Sequence, residues 1–375
     1  MRNNIVTKSS LILFFLFLII AVTSISGCTD TTDMSVSGQS VSDQSDTVEI
    51  TDMLGRNLTA PSEIKAAITT YPPTTILVYM LAPDKLAGWN FMNSYDDYAY
   101  MNDTYYSLPS VGGWYGTTTG NYETIMNINP DVVIDRSGTD GQIGDELLTR
   151  QEMFGSLPVI AVDYSMIYVN ESDPTIEYLG ELLDSKEQAE DLIEFRTSVF
   201  DEINSKVSEI PDDEKARVYY AEGPTGLKTD PTDSVHSQVI ELCGGVNVAD
   251  CPLTPGIGMT EVSMEQIIEW QPEVIITSNA QFYSSVYSDS LWTDVDAVKN
   301  ERVYLVPTNP FCWIDRPPGP HVILGTAWTA KSLYPELFED MDMEQLTRDF
   351  YSQFFHYELT DGELNNLLYP DEEVQ

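Results

Sequence analysis

The 375-residue sequence predicts an α/β protein: two similar lobes joined by one long rigid helix, with a ligand cleft between the lobes. Three observations carry that expectation. The first is residues 185–210, SKEQAEDLIEFRTSVFDEINSKVSEI, the longest stretch of helical periodicity. Ala189, Leu192, Ile193, Val199, Phe200, Ile203, Val207 and Ile210 recur at the i, i+3, i+4, i+7 spacing of one buried stripe. Ser185 with Gln188 reads as a capping box, Pro211 stops the run, and at 1.5 Å per residue the helix would be about 37 Å long. The second is a repeat. ETIMNINPDVVI (123–134) and EQIIEWQPEVII (265–276) share a short helix, a Pro-acid turn and a buried strand, with the same step from glutamate to proline. The third is the alternation of strand and helix patterns through both halves, which argues for largely parallel sheets in Rossmann-like lobes.

In chain order, residues 47–56 alternate and turn at Gly55, and strands are expected at 64–69 and 86–89 around a helix at 75–81. Residues 90–109 are rich in Tyr, Asn and Asp with little period and read as cleft border or surface. Helices follow at 144–154 and 176–183, with a strand at 159–162 between them. The second half opens with a strand at 217–222 and a helix at 235–243 that stops at Gly244-Gly245. Beyond the second repeat come a helix at 292–298, a strand at 303–306, an irregular Pro-rich loop at 308–320, a buried helix at 321–334 and a polar, aromatic closing segment at 350–368. The limits expected are 48–184 for the first lobe, 185–210 for the connecting helix and 211–375 for the second lobe.

Composition excludes one class of partner. With 18 Lys+Arg against 60 Asp+Glu, the formal charge is −42, and nucleic acid is ruled out. The acids are spread along the chain, so they describe a surface. Such self-repulsion is tolerable in saline surroundings, where the screening length falls to roughly 3 Å at 1 M salt.

Arg2 and Lys8 precede an apolar run, 11–22, too short to span a bilayer comfortably and shaped like the core of a signal peptide. Ile25-Ser26-Gly27-Cys28 then resembles a lipobox, so 1–27 is expected to be removed and Cys28 to carry a lipid outside the cytoplasm; an uncleaved anchor is the alternative. Residues 28–47, rich in Ser, Thr and Asp, read as a flexible tether. Asn57, Asn102 and Asn170 begin glycosylation sequons. In an oxidising exterior Cys243 and Cys251 could close a small loop, leaving Cys312 free, and a bridge from Cys312 to either is equally permitted. With no CxxC pair and only His236, His321 and His356, no metal site and no intrinsic cofactor is expected. Nor does any G-x-S-x-G, H-E-x-x-H or P-loop motif point to an enzyme.

Ligands in parallel sheets bind beyond the carboxyl ends of strands. Those ends carry Tyr71, Trp89, Trp114, Tyr115, Arg136, Glu222, Asn279, Phe311, Trp313, Asp315 and Arg316. In so acidic a chain, Arg136 after the first repeat's strand and Arg316 in the Pro-rich loop stand where a bound anion would need them, or each pairs with a local carboxylate.

The tract 48–56, the segment LAPDKLAG (81–88), both glutamate-to-proline repeats, CGGVNV (243–248) and AVKNERVY (297–304) together resemble the substrate-binding lipoproteins of ABC importers for iron chelates and corrinoids. The resemblance runs from about residue 48 to 338. It implies two α/β lobes on a rigid helix, no enzymatic activity, and a monomeric receptor that delivers a small metal chelate to a permease dimer with a cytoplasmic ATPase. Glu123 and Glu265 match the glutamates that dock such receptors onto permease arginines, one per lobe. Trp114 falls where corrinoid binders place a tryptophan, and Asp315 and Arg316 fall in the loop that meets the ligand from the second lobe. The Trp-Pro tract of the corrinoid branch is replaced by TPGIG (254–258), whereas WIDRPPGP (313–320), LGTAW (324–328) and LYPE (333–336) resemble a subgroup assigned to iron uptake. The resemblance therefore implies a siderophore-type iron(III) chelate, with cobalamin or haem as the alternative. Phenolate oxygens suit ferric iron and the chain has 21 tyrosines, but chelate binders of this kind leave coordination to the chelator.

Overall fold

The computed structural model describes residues 47–91, 99–141, 144–254 and 258–370. The expected leader, Cys28 and the tether up to residue 46 lie outside the described residues, as do 92–98 of the Tyr-rich segment and 255–257 of TPGIG. The chain opens with an antiparallel hairpin, β1 (Thr47–Thr51) and β2 (Asn57–Pro61). The first lobe is a parallel sheet of β3 (Ala67–Thr69), β4 (Val132–Arg136) and β5 (Val159–Val162), in that order. Its helices are α1 (Pro72–Leu81), α2 (Asp103–Tyr106), α3 (Tyr122–Ile128), α4 (Asp145–Phe154) and α5 (Asp173–Leu182). The connecting helix is α6 (Lys186–Val207).

The second lobe pairs β6 (Arg217–Tyr220), β8 (Val246–Asn247), β10 (Val274–Thr277) and β11 (Val303–Leu305) in parallel, in the order β11-β10-β6-β8, while β7 (Lys228–Thr229) and β9 (Thr260–Glu261) form a small antiparallel ribbon. Around them run α7 (Gln238–Leu242), α8 (Met264–Trp270), α9 (Ala280–Val286), α10 (Asp296–Lys299), α11 (Ile323–Leu333), α12 (Met343–Phe354) and α13 (Asp361–Leu368).

The repeat is structural. α3 and α8 have seven residues each, both end on a left-handed residue, Asn129 and Gln271, and both lead through Pro and an acid into a central strand. The acid has a job in each lobe. Asp131 Oδ2 accepts the backbone N–H groups of Lys65 and Ala66 at 2.7 and 2.9 Å, and Glu273 Oε2 accepts that of Arg217 at 3.2 Å. Each carboxylate thus anchors the start of the neighbouring parallel strand, where no ladder partner is available.

Strand alternation divides the interior into three. Val132, Ile134, Ile160 and Val162 of the first sheet, and Val218, Tyr220, Val274 and Ile276 of the second, face one large core shared by both lobes. Their alternates face outward into two lateral cores: Ile68, Val133, Val159 and Ala161 on one side, Tyr219, Ile275 and Val303 on the other. α6 contributes Ala189, Leu192, Val199, Phe200, Ile203 and Val207 to the shared core, as its period requires.

Several local expectations change. α6 ends at Val207, ahead of Pro211, and its start carries no capping box: Ser185 makes no side-chain cap. Gln188 instead donates to Met80 O and Gln353 O at 3.1 and 2.6 Å, because the helix begins against the rest of the protein and not in water. Residues 86–89 form only isolated bridges, Ala67–Leu86 and Trp89–Ser110, and the helix expected at 292–298 contracts to α10. The closing segment is more than a polar tail. α12 buries Met343, Thr347, Phe350, Tyr351 and Phe354, its Phe350 and Phe354 rings lie 5.4 and 5.5 Å from Phe195 of α6, and His356 Nε2 meets Tyr79 O and Met80 O of α1 at 3.0 and 3.2 Å. It therefore packs across the joint between lobes.

The cysteine loop is corrected too. Cys243, Cys251 and Cys312 are free thiols. Cys243 is fully buried in the shared core with Sγ 3.1 Å from Thr326 O, whereas Cys251 packs on the lateral core of the second lobe. The sheet separates those two cores.

Candidate functional site

Parallel pairing brings the carboxyl ends of β3, β4 and β5 side by side, and each end delivers one side chain to the same place. Tyr71 follows β3, Arg136 ends β4, and Tyr164 begins the 3-10 turn after β5. The Arg136 guanidinium carbon lies 4.9 Å from the centroid of each tyrosine ring, and the two rings are 6.1 Å apart. A guanidinium between two aromatic faces keeps its charge while its edge stays available. Nη1 donates to Ser137 O at 3.1 Å, and Nε has no hydrogen-bond partner. Burial, then the neighbouring Tyr164, then Asp315 of the other lobe hold the Tyr71 phenol far above its ordinary value, against the opposing charge of Arg136. Its hydroxyl keeps its proton.

The second lobe presents a different wall. Arg316, in the loop after β11, has a backbone φ of +55° and is surrounded by carboxylates. Its Nε donates to Glu222 Oε1 at 2.7 Å and its Nη2 to Asp230 Oδ2 at 2.7 Å, with Asp315 Oδ2 3.2 Å from Nε. Glu222, Asp230 and Asp315 are all buried. Burial is the main reason the Glu222 carboxyl is pushed up to about 9; Arg316 opposes the rise, and Asp230 and Asp315 add to it. His236 completes the wall, with Nδ1 2.6 Å from Asp315 Oδ1. The walls are tied at one edge, where Gln238 accepts from Val169 N and donates to Ile167 O, both at 3.0 Å.

Of the residues singled out in the sequence, Tyr71 and Arg136 stand on one wall of this cleft and Glu222, Asp315 and Arg316 on the other. Trp89 and Trp313 do not. Both indoles are buried in the shared core, and their N–H groups are satisfied internally, by Tyr105 O at 2.8 Å and Tyr351 Oη at 3.1 Å. Phe311 packs between Trp89, Tyr79 and Phe355 in the same core, and Asn279 caps α9. Trp114 is half buried against Tyr122 and Phe154, with the Arg150 guanidinium 5.5 Å over its ring, and Arg150 in turn pairs with buried Asp135. Tyr115 donates to Asn90 O at 2.9 Å. Glu123 and Glu265 are exposed in the first turns of α3 and α8.

Sequence reasoning missed Tyr164, Asp230 and His236. Tyr164 was one of 21 tyrosines, and only strand pairing shows that it joins Tyr71. His236 and Asp315 are 79 residues apart, with nothing local to link them.

The described residues contain no helix long and apolar enough to cross a membrane. A family model for periplasmic binding proteins matches residues 67–310. The molybdate-binding protein MolA of Haemophilus influenzae is 24% identical over 331 residues, covering 82% of this chain and 90% of that one. The vitamin B12-binding protein of Yersinia pestis is 28% identical over 228 residues, covering 60% and 73%. An ABC transporter solute-binding protein from Sulfurospirillum deleyianum superposes with a TM-score of 0.78 at 32% identity, covering 85% of this chain and 98% of that one. With a cleft between two lobes and a match over most of its length, the chain belongs to the periplasmic binding protein family, as the non-enzymatic substrate-binding component of an ABC transporter.

Proposed function

We propose that the cleft captures an iron(III) chelate of the siderophore type and hands it to a permease dimer with a cytoplasmic ATPase. The observation that carries this reading is the unequal pair of walls: Arg136 offers one cation on an aromatic cradle, while Arg316 is already matched by acids. One cation with an unpartnered N–H and flat aromatic faces suit a large chelate with peripheral anionic oxygens. A bare ferric ion would need ionised phenols, and Tyr71 holds its proton. A small oxyanion such as molybdate draws support from the Haemophilus relative, but it would want several converging donors, and Arg316 is engaged. Tryptophan-fluorescence titration of the full chain in detergent micelles tests the reading, with ferric siderophores, haem, cobalamin and molybdate as probes. Saturable quenching by a ferric siderophore at micromolar concentration or below is expected. Quenching by cobalamin, haem or molybdate alone overturns the iron assignment.

For docking, the supporting feature is symmetry. Glu123 and Glu265 occupy equivalent positions, and three residues on each stands beside an exposed apolar side chain, Met126 and Ile268. Replacing both glutamates with alanine is expected to abolish stimulation of the reconstituted transporter's ATPase while ligand affinity in free solution stays within about twofold. The lipid on Cys28 remains part of this proposal, and mass measurement of the membrane-extracted protein checks it.

A further inference from the structure

Resting on the metal-chelate reading above, we propose that His236 is itself a metal ligand: its Nε2 fills a coordination position that the cargo leaves open, so the substrate class is a coordinatively unsaturated transition-metal chelate. The donor atoms of Asp230, His236 and Asp315 lie within 4.8 Å of one another. Asp230 is not free to coordinate, since its oxygens accept from Ser234 Oγ, Met259 N and Arg316 at 2.9, 3.3 and 2.7 Å. Asp315 is wholly buried, and one of its oxygens is the partner of His236 Nδ1 at 2.6 Å. A carboxylate acceptor puts the imidazole proton on Nδ1 and leaves the lone pair of the neutral ring on Nε2. That is the arrangement by which an outer carboxylate orients a metal-bound histidine and raises its basicity.

Three further facts point the same way. Nε2 of His236 has no protein partner and is not among the enclosed polar atoms, and the side chain is 16% exposed. The other histidines stand elsewhere: His321 is buried, with burial driving its pKa down to about 3, and His356 is held through Nε2 by Tyr79 O and Met80 O of α1. His236 also stands two residues before Gln238, which ties the walls, and its partner Asp315 is close enough to Tyr71 of the opposite wall to help raise that phenol.

The test compares Ni(II)–nitrilotriacetate, which leaves two coordination positions open, with Ni(II)–EDTA, which leaves none. Calorimetry on the full chain in detergent micelles is expected to show one equivalent of Ni(II)–nitrilotriacetate bound and Ni(II)–EDTA bound at least tenfold more weakly. His236→Asn, whose amide can keep the bond to Asp315 while removing the Nε2 donor, is expected to lose about 10–100-fold in affinity, with an unchanged thermal midpoint. Electron paramagnetic resonance of the Cu(II)–nitrilotriacetate complex should show hyperfine coupling from one imidazole nitrogen, absent in His236→Asn. Equal affinity of wild type and His236→Asn, or no imidazole coupling beyond that of the nitrilotriacetate amine, overturns the proposal. If tetradentate ferric siderophores, which leave two positions open, bind wild type and His236→Asn equally well, direct ligation fails and the chelate reading stands. If wild type binds no ferric complex, the chelate reading itself fails.

Discussion

Arg136 and Arg316 face one cleft from opposite lobes, and they differ in what surrounds them. Arg136 lies between two neutral rings and has a guanidinium N–H without a partner. Arg316 is bound by Glu222 and Asp230, with Asp315 alongside. The same side chain thus keeps an unpaired N–H between aromatic rings on one wall and is the keystone of a buried ion-pair network on the other. A cation's sequence position says where it stands, and its neighbours decide whether its charge is available.

Substitution separates the two arginines. The largest effect is expected from Arg316→Ala, which leaves Asp230 and Asp315 buried without their cation and should cost about 3–5 kcal/mol of stability, measured by denaturant unfolding. Arg136→Ala orphans no carboxylate. It should lower stability by only about 1 kcal/mol, the scale of cation–π contacts, while weakening the ligand about 10–100-fold, as loss of a charged hydrogen bond does. If both variants lose stability equally, the distinction between the walls is wrong.

A smaller effect sharpens the account of the acidic wall. The Glu222 carboxyl is held at about 9 against an ordinary 4.5, so between those values the native state binds a proton that the unfolded chain has lost. Stability from this group is fully present below about pH 4.5 and declines as pH rises toward 9. Glu222→Gln fixes the neutral form, so the stability of wild type relative to this variant should fall steadily from pH 5 to pH 9. A flat difference in thermal midpoint over that range would mean that Glu222 is ionised beside Arg316 throughout.

Much of the scaffold was legible because its signals are local. The period of α6 needs only the spacing of Ala189, Leu192, Val199 and Ile203, and the repeat needs only Glu123 to Ile134 set beside Glu265 to Ile276. Local signals also misled. Ser185 and Gln188 have the spacing of a capping box, but Gln188 finds better acceptors in Met80 and Gln353, which are distant in sequence. Trp89 and Trp313 stand near strand ends as ligand contacts would, yet an indole is large enough to fill the core beneath the loop that carries it. Asp131 and Glu273 look like turn acids, and their role in anchoring a neighbouring strand appears only once the strands are paired.

Two α/β lobes, one connecting helix, an acidic surface and the positions of Arg136 and Arg316 can be read from the chain alone, because periodicity, charge and turn chemistry are properties of neighbouring residues. Only the tertiary structure decided that Arg136 would be cradled by Tyr71 and Tyr164, that Arg316 would be enclosed by Glu222, Asp230 and Asp315, and that His236 would lean on Asp315. Those contacts join residues from separate strands and loops. Burial and the fields of those partners set their chemistry, and neither exists until the sheets have formed.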